Sequence, residues 1–191
     1  MLDPELLLRA YRMGAFPMAV PPDQKTAWFS PDPRALIPLD ARFHITHGLR
    51  RALQKAMFQI TYDQDFEKVI QACAKVHGPT WISDEIKASY CELYRRGHAH
   101  SVEARLEGEL AGGLYGVHVG GAFFGESMFH HETDASKIAL VALVERLRAK
   151  GFLILDTQWI TPHLTQFGTY EVTRNEYLKL LAVATGLDCQ F

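Results

Sequence analysis

The side chains best placed to do chemistry fall in two short stretches. In Asp156-Thr157-Gln158-Trp159 a carboxylate and a carboxamide stand two residues apart, at the end of the apolar run Phe152-Leu153-Ile154-Leu155. Alternate residues on a strand share a face. Asp156 and Gln158 are therefore expected to point the same way at the strand's C-terminal edge, where open α/β sheets often hold ligands. The plainer reading has Asp156 capping a turn and Gln158 facing solvent. In Gly125-Glu126-Ser127-Met128-Phe129 a carboxylate follows Phe123 and Phe124. Burying a carboxylate alone is costly, so Glu126 has to meet a donor or a cation, in a structural salt bridge or as the partner of a substrate amine.

Other chemistries lack their residues. His130-His131-Glu132 and His98-Ala99-His100 have no i,i+4 histidine pair, and neighbours on a strand face opposite ways, so no metal site is expected. No G-x-x-x-x-G-K-[ST] phosphate loop and no G-x-S-x-G elbow occur, and Gly112-Gly113-Leu114-Tyr115-Gly116 lies within a hairpin. The loop His130 to Asp134 holds no glycine with which to approach the pyrophosphate of coenzyme A. No cofactor is expected.

These residues must be positioned by alternating helices and strands. The proline-dense stretch from Pro17 to Pro38 reads as a packed loop. Thr46 is placed to cap a helix that turns Leu49, Leu53, Ala56 and Met57 inward, with Arg50, Arg51 and Lys55 off that face. A strand at 58–62 and a helix on Phe66, Val69, Ile70 and Cys73 follow. Ser83 then caps a helix bearing Ile86, Tyr90, Leu93 and Tyr94 that ends at Gly97. Ser101 to Leu106, Leu110 to Val119 and Ala122 to Phe129 read as antiparallel strands, joined at Glu107-Gly108-Glu109 and Gly120-Gly121. Asp134 is expected to cap a long helix carrying Leu140, Leu143, Val144 and Leu147, stopped at Gly151. Phe152 to Leu155 reads as a strand covered on both faces, and a last helix follows Thr173 or Asn175. The class is α+β, with a mixed, mostly antiparallel sheet flanked by helices.

A chain of 191 residues, 48% hydrophobic and 22% charged, suits one globular domain with a small appendage. The longest apolar run, Ile138 to Val144, is too short to span a bilayer, and the first residues show no basic n-region. Cys73, Cys91 and Cys189 offer neither a disulfide framework nor metal spacing, and a cytoplasmic location is expected. The net charge of −2 hides a gradient: residues 1–60 hold eight basic side chains against five acidic ones. A polyanion would prefer that third, and Arg42, Arg50, Arg51 and Lys55 are its candidate phosphate contacts.

Read together, the motifs resemble the leucyl/phenylalanyl-tRNA–protein transferases over nearly the whole chain. The blocks are Ala10-Tyr11-Arg12-Met13-Gly14-Ala15-Phe16-Pro17, Trp28-Phe29-Ser30-Pro31-Asp32-Pro33-Arg34, Thr80-Trp81-Ile82 and Gly97-His98-Ala99-His100-Ser101-Val102-Glu103. They continue through Gly112-Gly113-Leu114-Tyr115-Gly116-Val117, Gly125 to Phe129, Ala135-Ser136-Lys137 and Asp156-Thr157-Gln158. The resemblance implies a small N-terminal domain, residues 1–33, on a body of residues 34–191 similar to the GNAT acetyltransferase fold without its coenzyme. It implies transfer of leucine or phenylalanine, sometimes methionine, from aminoacyl-tRNA to proteins beginning with arginine or lysine, marking them for degradation by the N-end rule.

It further implies an aminoacyl pocket at Leu114, Phe123, Met128, Leu140, Leu143, Leu147 and Leu155, and adenosine contacts at Tyr11, Met18 and Trp81. Where the family often has Phe-Pro-Trp, this chain has Phe16-Pro17-Met18, which lacks the π face of a tryptophan and shifts the expected contacts to Tyr11 and Trp81. The expected catalytic set is Asp156, Gln158 and Glu126. Gln158, held by Asp156, accepts a hydrogen bond from the attacking amine, and Glu126 binds the acceptor's cationic end. The proton goes to Asp156, to water or to a ribose hydroxyl. A Fem-type tRNA-dependent peptidoglycan transferase is the alternative, although such enzymes usually need duplicated domains. A coenzyme A acetyltransferase and a non-catalytic tRNA-binding module rank below it.

Overall fold

Apolar periodicity and local caps account for most elements of the computed structural model, which describes residues 1–76 and 80–191. Helix α1 (Pro4–Arg12) begins where Asp3 accepts from the Glu5 N–H, and it buries Leu7, Leu8 and Tyr11. A two-stranded antiparallel ribbon follows, β1 (Phe16–Val20) and β2 (Lys25–Phe29), and then β3 (Arg34–Ile37). The region expected to be a packed loop is therefore largely extended strand. Proline is tolerated where no ladder bond is needed, and the runs between prolines here are long enough to pair.

Helix α2 (His47–Gln54) is capped by Thr46 but ends before Ala56, whose φ is 49°, and Met57 lies 54% exposed rather than inward. Strand β4 (Gln59–Tyr62), helix α3 (Phe66–Val76) and helix α4 (Asp84–Arg95), with Ser83 accepting from the Ile86 N–H, follow the apolar pattern. The central strands are β5 (Ala99–Leu106), β6 (Glu109–Val119) and β7 (Ala122–His130). Helix α5 (Ala135–Ala149) has Asp134 at its N-cap position with φ 66°, yet the Asp134 carboxylate makes no capping bond and instead pairs with Lys137 at 2.7 Å. Strand β8 (Ile154–Gln158) starts later than expected: Phe152 and Leu153 precede it and Leu153 is 54% exposed. Helix α6 (Pro162–Thr165), strand β9 (Tyr170–Val172) and helix α7 (Arg174–Thr185) complete the chain, with a Thr173–Glu176 capping box at the start of α7.

The large sheet runs β4-β5-β6-β7-β8-β3-β9, antiparallel except for β7 against β8. One core, with Leu7, Tyr11, Phe66, Tyr90, Tyr115, Phe124 and Leu181, fills the face covered by α1, α3, α4 and α7. A second, with Leu49, Leu114, Leu140, Leu143, Leu147 and Leu155, fills the face under α2 and α5. This is the helix-flanked, mostly antiparallel α+β arrangement.

The feature that makes a site is the brief pairing of β7 with β8. It consists of Ala122↔Ile154, Phe123↔Leu155 and Phe124↔Asp156, after which β7 continues to His130 while β8 pairs only with β3. A wedge opens beyond Gly125. A register shift between Tyr115 and Gly116 bends β6 beside it. A Cβ on Gly116 would sit 2.3 Å from the Phe124 carbonyl oxygen and 2.4 Å from the Phe123 ring. Gly116→Ala is expected to cost about 1–3 kcal/mol, seen as a lower urea midpoint at unchanged m-value. An unchanged midpoint would mean that the bulge yields freely.

Candidate active site

The wedge holds a cavity of about 520 Å³. Leu114, Leu140, Leu143 and Leu155, all nearly inaccessible to solvent, line it together with Met128 and Ile37. Partly exposed Met18 and Trp81 and the more exposed Trp159 line it where it meets solvent. Phe123 and Leu147, expected in the pocket wall, are instead fully buried in the second core and do not reach the cavity. Each points into the packed layer behind the wall, a distinction that helical and strand periodicity does not make.

Gln158 reaches the cavity by leaving the strand's alternation. Its φ is 62°, and the N–H of Trp159 donates to the Thr157 carbonyl at 2.7 Å, closing a γ-turn of the strained hand around Gln158. The Gln158 amide nitrogen faces the carbonyls of Gly125 (3.1 Å) and Thr157 (2.9 Å), which turns its oxygen end away from them. The turn therefore brings Gln158 to the cavity that Leu155, Thr157 and Trp159 face in alternation.

Asp156 lies elsewhere. It is fully buried and absent from the cavity wall, so the expectation that it shares a face with Gln158 is corrected by the turn between them. Its carboxylate accepts from Arg34 Nε at 2.9 and 3.1 Å, from Arg34 Nη2 at 2.9 Å, from the Tyr177 hydroxyl and from the Gln158 backbone N–H at 2.9 Å. Arg34, itself fully buried, also donates to the Gly14 carbonyl at 2.9 Å and lies between the rings of Phe16 and Tyr177. What Asp156 holds in Gln158 is the backbone, not the side-chain amide.

Glu126 borders the cavity and accepts from Tyr11 Oη at 2.7 Å and Tyr90 Oη at 3.3 Å, with the two phenols also bonded to each other. Among the described residues its partners are these phenol donors rather than a cation. Burial pushes its carboxyl up to about 7, against the opposing pull of the Tyr11 hydrogen bond and with help from the Asp156 charge. Tyr11 is fully buried, so it cannot offer a face to adenosine as expected; its ring packs on Phe124 and its hydroxyl serves Glu126.

The raised Glu126 carboxyl has a stability consequence. A group whose pKa is higher in the fold stabilises it fully below the unfolded value, near 4.5, and that contribution is lost as pH rises through about 7. Relative to Glu126→Gln, the parent chain is expected to lose about 3 kcal/mol between about pH 5 and about pH 9, read from urea midpoints at each pH. Parallel curves would show that Glu126 is not buried in this way.

The remaining candidates scatter. His100 bonds Asp63 at 2.8 Å and His118 at 2.9 Å on the far part of β5 and β6, while His130 lines the cavity 3.5 Å from Ser136 Oγ. Arg42, Arg50, Arg51 and Lys55 are exposed, with Arg42 already paired to Asp40 at 2.8 Å and Arg50 Nε donating to the Ile45 carbonyl at 3.1 Å.

The family model for the leucyl/phenylalanyl-tRNA protein transferase matches residues 36–182, and the model for that transferase's N-terminal domain matches residues 1–32. The chain belongs to the leucyl/phenylalanyl-tRNA protein transferase family. Similar relatives carrying that transferase name include one from Akkermansia muciniphila, 59% identical over 94% of each chain. Another, from Herpetosiphon aurantiacus, is 51% identical over 100% of this chain and 98% of the relative. Among solved structures, AAC(6')-Iy in complex with a bisubstrate analogue covers 69% of this chain and 90% of its own, with a TM-score of 0.39 and 15% identity. The chain is thus an aminoacyl-tRNA–protein transferase.

Arg34, Tyr90, Tyr177 and Trp159 also belong to the site, beyond the residues expected from the sequence. Arg34 did leave a signal, a guanidinium opening the apolar run Ala35-Leu36-Ile37, which demands a buried carboxylate. Tyr90 and Tyr177 left none, because a tyrosine on a helical stripe reads as core and nothing in the sequence says where its hydroxyl ends.

Proposed function

We propose that the cavity receives the leucine, phenylalanine or methionine side chain of an aminoacyl-tRNA, and that the acyl group passes to the N-terminal amine of a protein beginning with arginine or lysine. One observation carries the reading: an apolar hollow of about 520 Å³ bordered on its polar side by a constrained glutamine and a half-buried carboxyl. Each methylene placed in such a hollow is worth about 0.8 kcal/mol, which favours large apolar side chains over alanine but separates isosteres poorly.

The donor ester is already activated, so the work is to aim a nitrogen at its carbonyl carbon. The N–C bond forms, the ester C–O bond breaks, and the ribose hydroxyl leaves with the proton shed by the amine. Gln158 accepts a hydrogen bond from the amine through its amide oxygen. Asp156 acts at one remove by holding the Gln158 N–H, and since its oxygens are already engaged the proton passes to water or to the ribose hydroxyl. Glu126 takes the acceptor's cationic end. In this reading residues 1–33 form a small N-terminal domain on the transfer body of residues 34–191, and the enzyme works in the cytoplasm on N-end rule substrates.

The test supplies labelled Leu-tRNA with peptides beginning Arg, Lys or Ala. Label is expected in the first two and not the third; consumption of acetyl-CoA with no aminoacyl transfer would overturn the reading. A companion measurement concerns Arg50, Arg51 and Lys55. Each removal is expected to reduce the slope of log K against log salt for tRNA binding by about 1, whereas an unchanged slope returns that residue to an ordinary solvated face.

A further inference from the structure

Resting on that reading, we propose that Glu126 stands in the free enzyme as a neutral acid, closed in a ring of hydrogen bonds with Tyr11 and Tyr90. It releases its proton to water when the acceptor's side-chain cation arrives to pair with it. A count of protons leads there. Three oxygen pairs lie within bonding distance: Tyr11 Oη with Glu126 Oε1 at 2.7 Å, Tyr90 Oη with Glu126 Oε2 at 3.3 Å, and the two phenols with each other. Each phenol brings one proton, and an ionised carboxylate brings none. An ionised Glu126 therefore leaves one of the three contacts as lone pairs facing each other. With its own proton the carboxyl donates to Tyr90, Tyr90 donates to Tyr11, and Tyr11 donates back to Glu126. Every group in the ring then gives one bond and takes one.

The surroundings supply no spare counter-charge. The charged and titratable groups that face Glu126 are Tyr11 on α1, Tyr90 on α4, Tyr115 on β6, Asp156 on β8 and Arg34 on β3. Arg34 is bonded to Asp156, so that pair is neutral as a whole. The Tyr115 hydroxyl is buried without a partner among the described residues. Burial, opposed by the Tyr11 hydrogen bond and aided by the Asp156 charge, favours the same neutral form of Glu126. A guanidinium or ammonium brought to this border of the cavity meets a carboxyl that ionises in order to pair with it. An acceptor beginning with alanine has no side-chain cation and leaves the proton in place.

Infrared difference spectra of the parent enzyme against Glu126→Gln read that proton directly. At pH about 6 the free parent is expected to show a neutral-carboxyl band that Glu126→Gln lacks and that fades as pH rises through about 7. Arg-peptide, supplied well above its KM for transfer, should abolish the band, and Ala-peptide should leave it. Calorimetry at the same pH, in buffers of different protonation enthalpy, should find about one more proton released per Arg-peptide bound by the parent than by Glu126→Gln. Relative to that variant, the parent's affinity for Arg-peptide should fall about tenfold from about pH 8 to about pH 6. The acceptor's own α-amine contributes equally to both proteins and drops out of each comparison. No neutral band in the free enzyme overturns the proposal. So does a band that Arg-peptide leaves untouched or that Ala-peptide removes as well. Failure of the parent to label Arg-peptide would instead sink the proposed reaction; it is read first, and the band of the free enzyme does not depend on it.

Discussion

Arg34→Met is expected to lose about 3–5 kcal/mol of folding stability together with its transfer activity. The cation is fully buried, pairs with an equally buried Asp156, and bonds the Gly14 carbonyl in the turn between α1 and β1. Replacing it leaves a carboxylate out of water with Tyr177 and one backbone N–H as its donors. The loss reflects that stranded charge, since a buried ion pair by itself is weak evidence of net stabilisation. Arg34→Met combined with Asp156→Leu should accordingly recover most of the stability, measured by urea unfolding. It should not recover single-turnover transfer, because the Gln158 N–H then has no acceptor and the γ-turn is unsupported. Recovery of both would show that Asp156 serves the fold alone. Asp156→Ala offers the complementary reading: slower single-turnover transfer at nearly unchanged affinity for aminoacyl-tRNA.

The second large effect lies in donor choice. Leu143→Phe brings a ring into a cavity whose other walls are Leu114, Met128, Leu140 and Leu155. A close-packed wall does not give way for nothing, so the added bulk takes space from the donor, and a phenylalanine suffers more than a leucine. The ratio of kcat/KM for Phe-tRNA over Leu-tRNA is expected to fall about 10- to 200-fold. Because the comparison is a ratio within one variant, the overpacking cost of the substitution cancels. An unchanged ratio would mean that the side chain of the donor lies elsewhere.

The two effects belong to different levels of the molecule. On the proposed reaction, donor choice rests on a hollow made where two parallel strands stop pairing, and catalysis on a strained turn kept in place from behind. The Arg34–Asp156–Tyr177 group joins the turn between α1 and β1, strand β3, strand β8 and helix α7 at one point. A change in any of these elements therefore reaches Gln158 through its backbone rather than through the cavity.

Much of this was legible along the chain. Caps at Thr46, Ser83 and Thr173 and the glycine turns located helices and strands, because those signals are local and act within one turn of backbone. Leu114, Leu140, Leu143 and Leu155, grouped with Phe123 and Leu147 by the family resemblance, line the hollow, whereas Phe123 and Leu147 share their core and stop short of it, a difference that periodicity does not carry. The strands among the prolines were hidden, since the ribbon pairing that makes Pro17 acceptable is with Trp28, on another strand.

By itself, then, the sequence determined the α+β class and the nearness of a carboxylate to an amide, which follow from residue type and short spacing, while the family followed from the resemblance of its motif blocks. Tertiary structure alone decided that Asp156 turns inward to Arg34, that Tyr11 serves Glu126 instead of a base, and that Trp159 stands beside the cavity. The physical reason is that a side chain's direction after a positive φ, and the partner of a buried charge 122 positions away, depend on packing that no local pattern encodes.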